Sequence, residues 1–376
     1  MLRRSALLVF LLPLVVAAQR EADDLARFLA GYPGNAGSSF AKLESTSAWQ
    51  EHRRKLEIEW KEAEGLVRGL RDFQRDELSA KPMTDSAVFY PFGGPDALTP
   101  TLCFPRSPVY VIVGLEPAGT LPTADQLAKK DLAKYLGSFR VTLSSELHRS
   151  FFITSQMDRE FRGQVTDGLL LPILHILVRT KHTILNVRYV RLDDNGNIVD
   201  RPLDYTSTAK FQNRGVEIEF RQDNDPLRQK LYYFAVNLAD ERLKENKAAL
   251  AYFARLKGST TLLKATSYAT HRPDFSVIRD VMLNNSAAIL QDDSGIPYRL
   301  FQPSQWQVLL YGGYDHPYGS FRGLVQADLR QAYRTANPKP LSFAIGYGFE
   351  RIPSNLLLAK RTRAVELPSS GSGAER

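Results

Sequence analysis

The sequence predicts a mixed α/β or α+β domain, with a central sheet flanked by helices, a β-hairpin insertion over residues 184–238 and a long N-terminal amphipathic helix. Three patterns predict it. Residues 109–115, VYVIVGL, are a continuous apolar and β-branched run, as expected of a strand covered on both faces. Val216, Ile218 and Phe220 alternate with Glu217, Glu219 and Arg221, the signature of a half-buried strand. Leu56, Trp60, Ala63, Val67 and Leu70 recur at spacings of four and three, which builds one apolar helix face.

The chain opens on a targeting pattern. Arg3 and Arg4 precede an apolar run through residue 16, and Val16, Ala17 and Ala18 are small enough for signal peptidase. The run is about 11 residues, short of the roughly 20 that a spanning helix needs. The expectation is a signal peptide over residues 1–18 and export to the periplasm or the cell exterior. Residues 169–178 are the most apolar later stretch, but Arg179, Lys181 and His182 end it, so a buried helix is expected there and no transmembrane segment after cleavage.

Residues 19–80 are expected to form a helical segment, 81–366 the mixed domain and 367–376 a disordered Ser/Gly-rich tail. Within the first, residues 47–78 read as helix, with Ser47 and Gln50 as a capping box and Gly65 and Gly69 weakening the second half. Strands follow at 87–90 and 109–115, then a helix at 123–136 capped by Thr123 with Gln126. Helical patterns recur at 144–152 and 169–180. Residues 184–192 are a strand, Asn195-Gly196 signals a type I′ hairpin, and 231–238 return as an apolar strand. Beyond them the pattern gives a helix through 250–256, a strand at 260–266 and a helix at 275–290 capped by Asp274. Extended segments are expected at 291–301 and 306–311, then a helix at 321–333 and a last strand at 341–345.

Composition narrows the function classes. Cys103 is the only cysteine, so an intramolecular disulfide is excluded, and its apolar neighbours suggest a buried, inert thiol. The net charge is +8, but Lys and Arg are mixed with Asp and Glu throughout. No basic block exists to grip nucleic acid. Phosphate-loop, GxSxG, HExxH and CxxC motifs are absent, so the sequence indicates no metal site and names no cofactor. His175 and His182 read as structural.

Candidate site residues come from a geometric rule: in open α/β sheets, ligands sit beyond the carboxyl ends of the strands. Four loops qualify. Tyr90, Phe92 and Asp96 lie in the Gly/Pro-rich loop after the first strand. Glu116 directly follows the most apolar strand. His271 lies between the 260–266 strand and the next helix. The fourth region pairs Asp292 and Asp293 with the loop that carries Tyr311, Tyr314, Asp315, His316 and Tyr318.

These residues admit two functions. In the first, the chain is a non-catalytic envelope or extracellular protein that binds a ligand or partner, such as a glycan, on the aromatic loops. In the second, it is an exported hydrolase of glycans or other envelope polymers, with Glu116 or Asp96 as acid/base and His271 assisting. The lack of a catalytic signature favours the first.

Overall fold

A computed structural model of the protein describes residues 20–79, 86–149, 168–206, 209–348 and 354–362. The expected signal peptide and C-terminal tail lie outside these residues.

The architecture is one ten-stranded mixed sheet with helices on both faces. Its strands are β1 (Val88–Tyr90), β2 (Val109–Gly114), β3 (His182–Leu192), β4 (Ile198–Asp200), β5 (Arg214–Gln222), β6 (Arg228–Ala235), β7 (Ser259–Leu263), β8 (Ser286–Gln291), β9 (Trp306–Gly312) and β10 (Asn355–Arg361). Across the sheet they run β4-β3-β5-β6-β2-β1-β7-β8-β10-β9. The middle five, β6, β2, β1, β7 and β8, are parallel. The strands on either side of them are antiparallel.

Apolar residues dominate the middle strands because both faces are covered. Val88, Tyr90, Tyr110 and Ile112 point to one face and meet Leu98, Leu102 and Cys103 of the helix Leu98–Cys103. Phe89, Val111 and Val113 point to the other, where they meet Ala249 and Phe253 of the helix Lys247–Ala254 and Ile278 and Met282 of the helix Ser276–Asn285. In chain order the parallel strands lie third, second, first, fourth, fifth. The order therefore reverses between β1 and β7, and the connecting loops there diverge and leave a crevice.

The long helix Ser47–Phe73 ends in a single π-turn, Gln74–Leu78. Its cap is Thr46, whose hydroxyl accepts from the Trp49 amide at 3.3 Å, one residue before the expected cap. Gly69 has a packing role in this helix. It lets the helix approach Phe343 so closely that a β-carbon at Gly69 would lie 2.6 Å from the Cβ of Phe343. A shorter helix over residues 20–29 packs beside it, with Phe28 stacked on Trp49. The Leu29 carbonyl near its end meets two buried imidazoles, His52 Nε2 at 3.0 Å and His175 Nδ1 at 3.1 Å. The carbonyl can only accept, so both ring nitrogens carry a proton. Arg140 donates to His52 Nδ1, which fixes His52 as the neutral Nε2–H tautomer.

Several expectations are corrected. The 123–136 segment is two helices, Ala124–Ala128 and Leu132–Arg149, although the Thr123–Gln126 capping box forms as expected. The Asn195-Gly196 turn is not type I′. Gly196 alone is left-handed, and Asp193 organises the turn by accepting from the amides of Asn195 and Asn197. The expected 275–290 helix stops at Asn285, and its end becomes β8, because Ala288, Ile289 and Leu290 pair with β7 and β10. The 291–301 segment is a turn followed by a 3-10 turn, Tyr298–Leu300, not an extended strand. The 321–333 helix is a 3-10 segment, Gly319–Leu324, and then a helix, Ala327–Thr335. Residues 341–345 are not a strand. Leu341, Phe343 and Ile345 alternate because they pack into the core beside Val67, Leu70 and Phe73 of the long helix. Among the described residues the last strand is β10.

Candidate functional site

A cavity of about 600 Å³ opens at the carboxyl ends of β1, β2, β6 and β7, in the crevice where the strand order reverses. Each of the four strands contributes the residues that follow it. Phe92, Gly93, Gly94 and Asp96 follow β1. Leu115 and Glu116 follow β2. Val236 to Leu238 follow β6, and Lys264 to Ser267, Ala269, Arg272 and Phe275 follow β7. Tyr318, Phe321 and Tyr347 complete the wall from the C-terminal part of the chain.

The floor is a buried ion pair. Lys264 Nζ lies 2.7 Å from Asp96 Oδ2, and both side chains are 2% exposed. Asp96 Oδ2 also accepts from the Tyr90 hydroxyl at 2.9 Å, and Oδ1 accepts from the Thr99 amide at 3.0 Å. Lys264 Nζ donates further to Thr99 Oγ1 at 2.9 Å. Burial acts to raise the Asp96 pKa. The adjacent ammonium and the Thr99 donors outweigh it and hold the carboxyl below its ordinary range. Both carboxylate oxygens are thus engaged, and the pair presents no net charge to the cavity.

The wall is aromatic. Phe92 meets Phe275 edge-on with centroids 5.8 Å apart, and Phe321 meets Tyr347 at 5.2 Å. The Arg272 guanidinium lies over the Phe275 ring at 5.6 Å. The backbone beneath is tightly wound. Phe92, Ala265, Ser267 and Tyr268 all have left-handed φ, between 51° and 65°. Such residues cost of order 1–3 kcal/mol each and persist only where surrounding contacts enforce them. For Ala265 and Ser267, Tyr347 does so. Its hydroxyl accepts from the Ser267 amide and donates to the Ala265 carbonyl, each at 3.1 Å.

Behind this loop lies a buried acidic pair. Asp292 accepts from the Ala265 amide at 2.9 Å and from the amide of Ser294 at 2.9 Å. Asp293 accepts from the Tyr268 hydroxyl and from Asn355 Nδ2 at 2.9 Å. Burial, and next the charge of Asp293, push Asp292 up to about 7, against the pull of its donors. Gly346 is left-handed and abuts Asp292 Oδ2, so no side chain fits there.

Of the candidates read from the sequence, Tyr90, Phe92, Asp96, Glu116 and Tyr318 line the cavity. The others lie outside its lining. His271 sits in the 3-10 turn Ala269–His271 against the ring of Tyr268, and burial lowers its pKa to about 4. Tyr311 donates to Glu77 at 2.8 Å, and the Tyr314 hydroxyl accepts from the Gln326 amide at 3.0 Å. Asp315 is exposed and faces His316, Arg330 and Arg334. Among the described residues, no group of three or more His, Cys, Asp or Glu is placed to hold a metal ion. Lys264, Arg272, Phe275 and Tyr347 were not legible as site residues. For Lys264 a signal existed, since it directly follows the apolar run TTLL and obeys the same strand-end rule as Glu116.

No family model, no curated protein and no solved structure matches this chain.

Proposed function

We propose that this chain is an exported protein that binds a small ligand with a flat ring face, a sugar or a heteroaromatic ring, in the strand-end cavity. The observation that carries the reading is the position and lining of that cavity. It lies at the reversal point of a parallel sheet, where such folds bind ligands, and it combines aromatic walls with polar and charged side chains such as Glu116, Asn237 and Arg272. The N-terminal pattern of residues 3–18 supports export. The state of Asp96 removes one of the two cavity carboxyls, Asp96 and Glu116, that a hydrolase reading would use. An acid/base carboxyl must exchange a proton with substrate, whereas Asp96 is held ionised with both oxygens engaged by Tyr90, Thr99 and Lys264.

The test is thermal denaturation of residues 19–376 with monosaccharides, oligosaccharides, peptidoglycan fragments and nucleosides. A ligand at about 100 times its Kd adds about 2.7 kcal/mol to stability. Ser320 is exposed and lines the cavity, so Ser320→Trp obstructs the mouth without entering the core. A stabilising ligand whose effect survives Ser320→Trp refutes the location. Chromatographic appearance of a cleaved product refutes the non-catalytic reading.

A further inference from the structure

We infer that the cavity is built for a ribonucleoside whose 5′ substituent carries no phosphate, with Glu116 receiving the ribose hydroxyls. This rests on the reading of the cavity as a ligand site and deepens it.

The first argument is topological. In a doubly wound sheet of this strand order, a nucleoside lies across the reversal point, and a carboxylate about 20 residues beyond the first strand's glycine loop hydrogen-bonds the ribose diol. Glu116 stands in that place. It follows Gly93-Gly94 by that interval, comes two residues after β2 and lines the cavity. A carboxylate suits a vicinal diol because its two oxygens can accept from both hydroxyls.

The second argument excludes phosphate. Phosphate at such a site is cradled by backbone N–H groups of the first loop and the start of its helix. Here Pro91 and Pro95 have no N–H. The Gly94 amide donates to the Val113 carbonyl of β2, Asp96 to Gly93 and Ala97 to Pro95, so these three donors are engaged within the protein. The helix that follows, Leu98–Cys103, begins beside the Asp96 carboxylate and is wholly buried. The ammonium of Lys264 is already matched by Asp96. A phosphate dianion would meet Glu116 in the lining, and the Arg272 guanidinium there is paired with Asp274 at 2.6 Å. The half-buried rings of Phe92, Phe275, Tyr318 and Phe321 provide faces for a base.

Isothermal titration of residues 19–376 with adenosine, guanosine, cytidine, uridine, S-adenosylmethionine, 2′-deoxyadenosine, AMP and ATP tests the inference. At least one ribonucleoside or S-adenosylmethionine is expected to bind, with the 2′-deoxy analogue and the triphosphate each weaker by about tenfold or more. The ligand series needs no variant and so is independent of folding. Glu116→Gln, which retains shape, is expected to erase most of the ribo-to-deoxy preference. Binding of ATP as tight as adenosine overturns the phosphate exclusion. Equal affinity for adenosine and 2′-deoxyadenosine overturns the role of Glu116. Binding of a saccharide alone, lost in Ser320→Trp, overturns the nucleoside class while the cavity reading stands. Absence of binding by every saccharide and nucleoside refutes both.

Discussion

Lys264→Met is the most informative single change. It removes an ammonium from a site that is 2% exposed and leaves Asp96, equally buried, with the Tyr90 hydroxyl and the Thr99 amide as its remaining donors. Breaking a buried ion pair by deleting one partner costs about 3–5 kcal/mol, because the surviving charge stays out of water. The retained donors place the expected loss near the lower end, about 3 kcal/mol. Asp96→Asn should cost as much or more, since the ammonium it strands keeps only the Thr99 hydroxyl among these partners. In Asp96→Asn/Lys264→Met neither charge remains, and the amide oxygen can still accept from Thr99 or Tyr90. The double variant should therefore be less destabilised than the sum of the singles by about 2–3 kcal/mol. Urea unfolding followed by tryptophan fluorescence measures all four proteins. A Lys264→Met loss below about 1 kcal/mol, the range of exposed pairs, or strict additivity in the cycle would refute a tight buried pair at the cavity floor.

Three further outcomes are expected. Burial lowers the His52 pKa to about 4, so the native state resists a proton that the unfolded chain accepts near 6.5. Stability is then full above pH 6.5 and falls as pH drops toward 4, by about 3 kcal/mol from this residue. Urea midpoints at pH 4.5, 5.5 and 6.5 should show a shallower acid limb in His52→Gln, and an unchanged limb contradicts the assignment. Gly69→Ala should destabilise by about 1–3 kcal/mol through overpacking on Phe343, whereas Gly65→Ala, which faces open space in the same helix, should stabilise by up to about 1 kcal/mol. Thermal melts decide it, and equal signs for the two would refute the close helix contact. Cys103 is buried and its pKa is raised to about 12, so a disulfide reagent should label it only in denaturant; rapid labelling of native protein would contradict its burial.

The apolar runs of the middle strands were legible because a strand covered on both faces has no polar position to confuse its pattern. Residues 88–90, 109–114 and 231–235 carried that signal. The same pattern marked Asp96 and Glu116, since a polar residue just past such a run must lie at the strand's end. Local pattern failed where identity depended on partners. SAAILQ is helix-compatible in isolation, and it is a strand because β7 and β10 present free edges to it. Leu341, Phe343 and Ile345 alternate like a strand yet pack into the core beside the long helix. No periodicity relates Lys264 to Asp96, which are 168 positions apart in the chain. The parallel pairing of β1 beside β7 puts their carboxyl ends, and so these two residues, next to each other. By itself the sequence determined which segments must be buried and which polar residues stand at their ends, because burial is written in each segment's own side chains. Only the tertiary structure decided which of those ends share one cavity, because that depends on strand order, and strand order is set by the packing of segments distant in the chain.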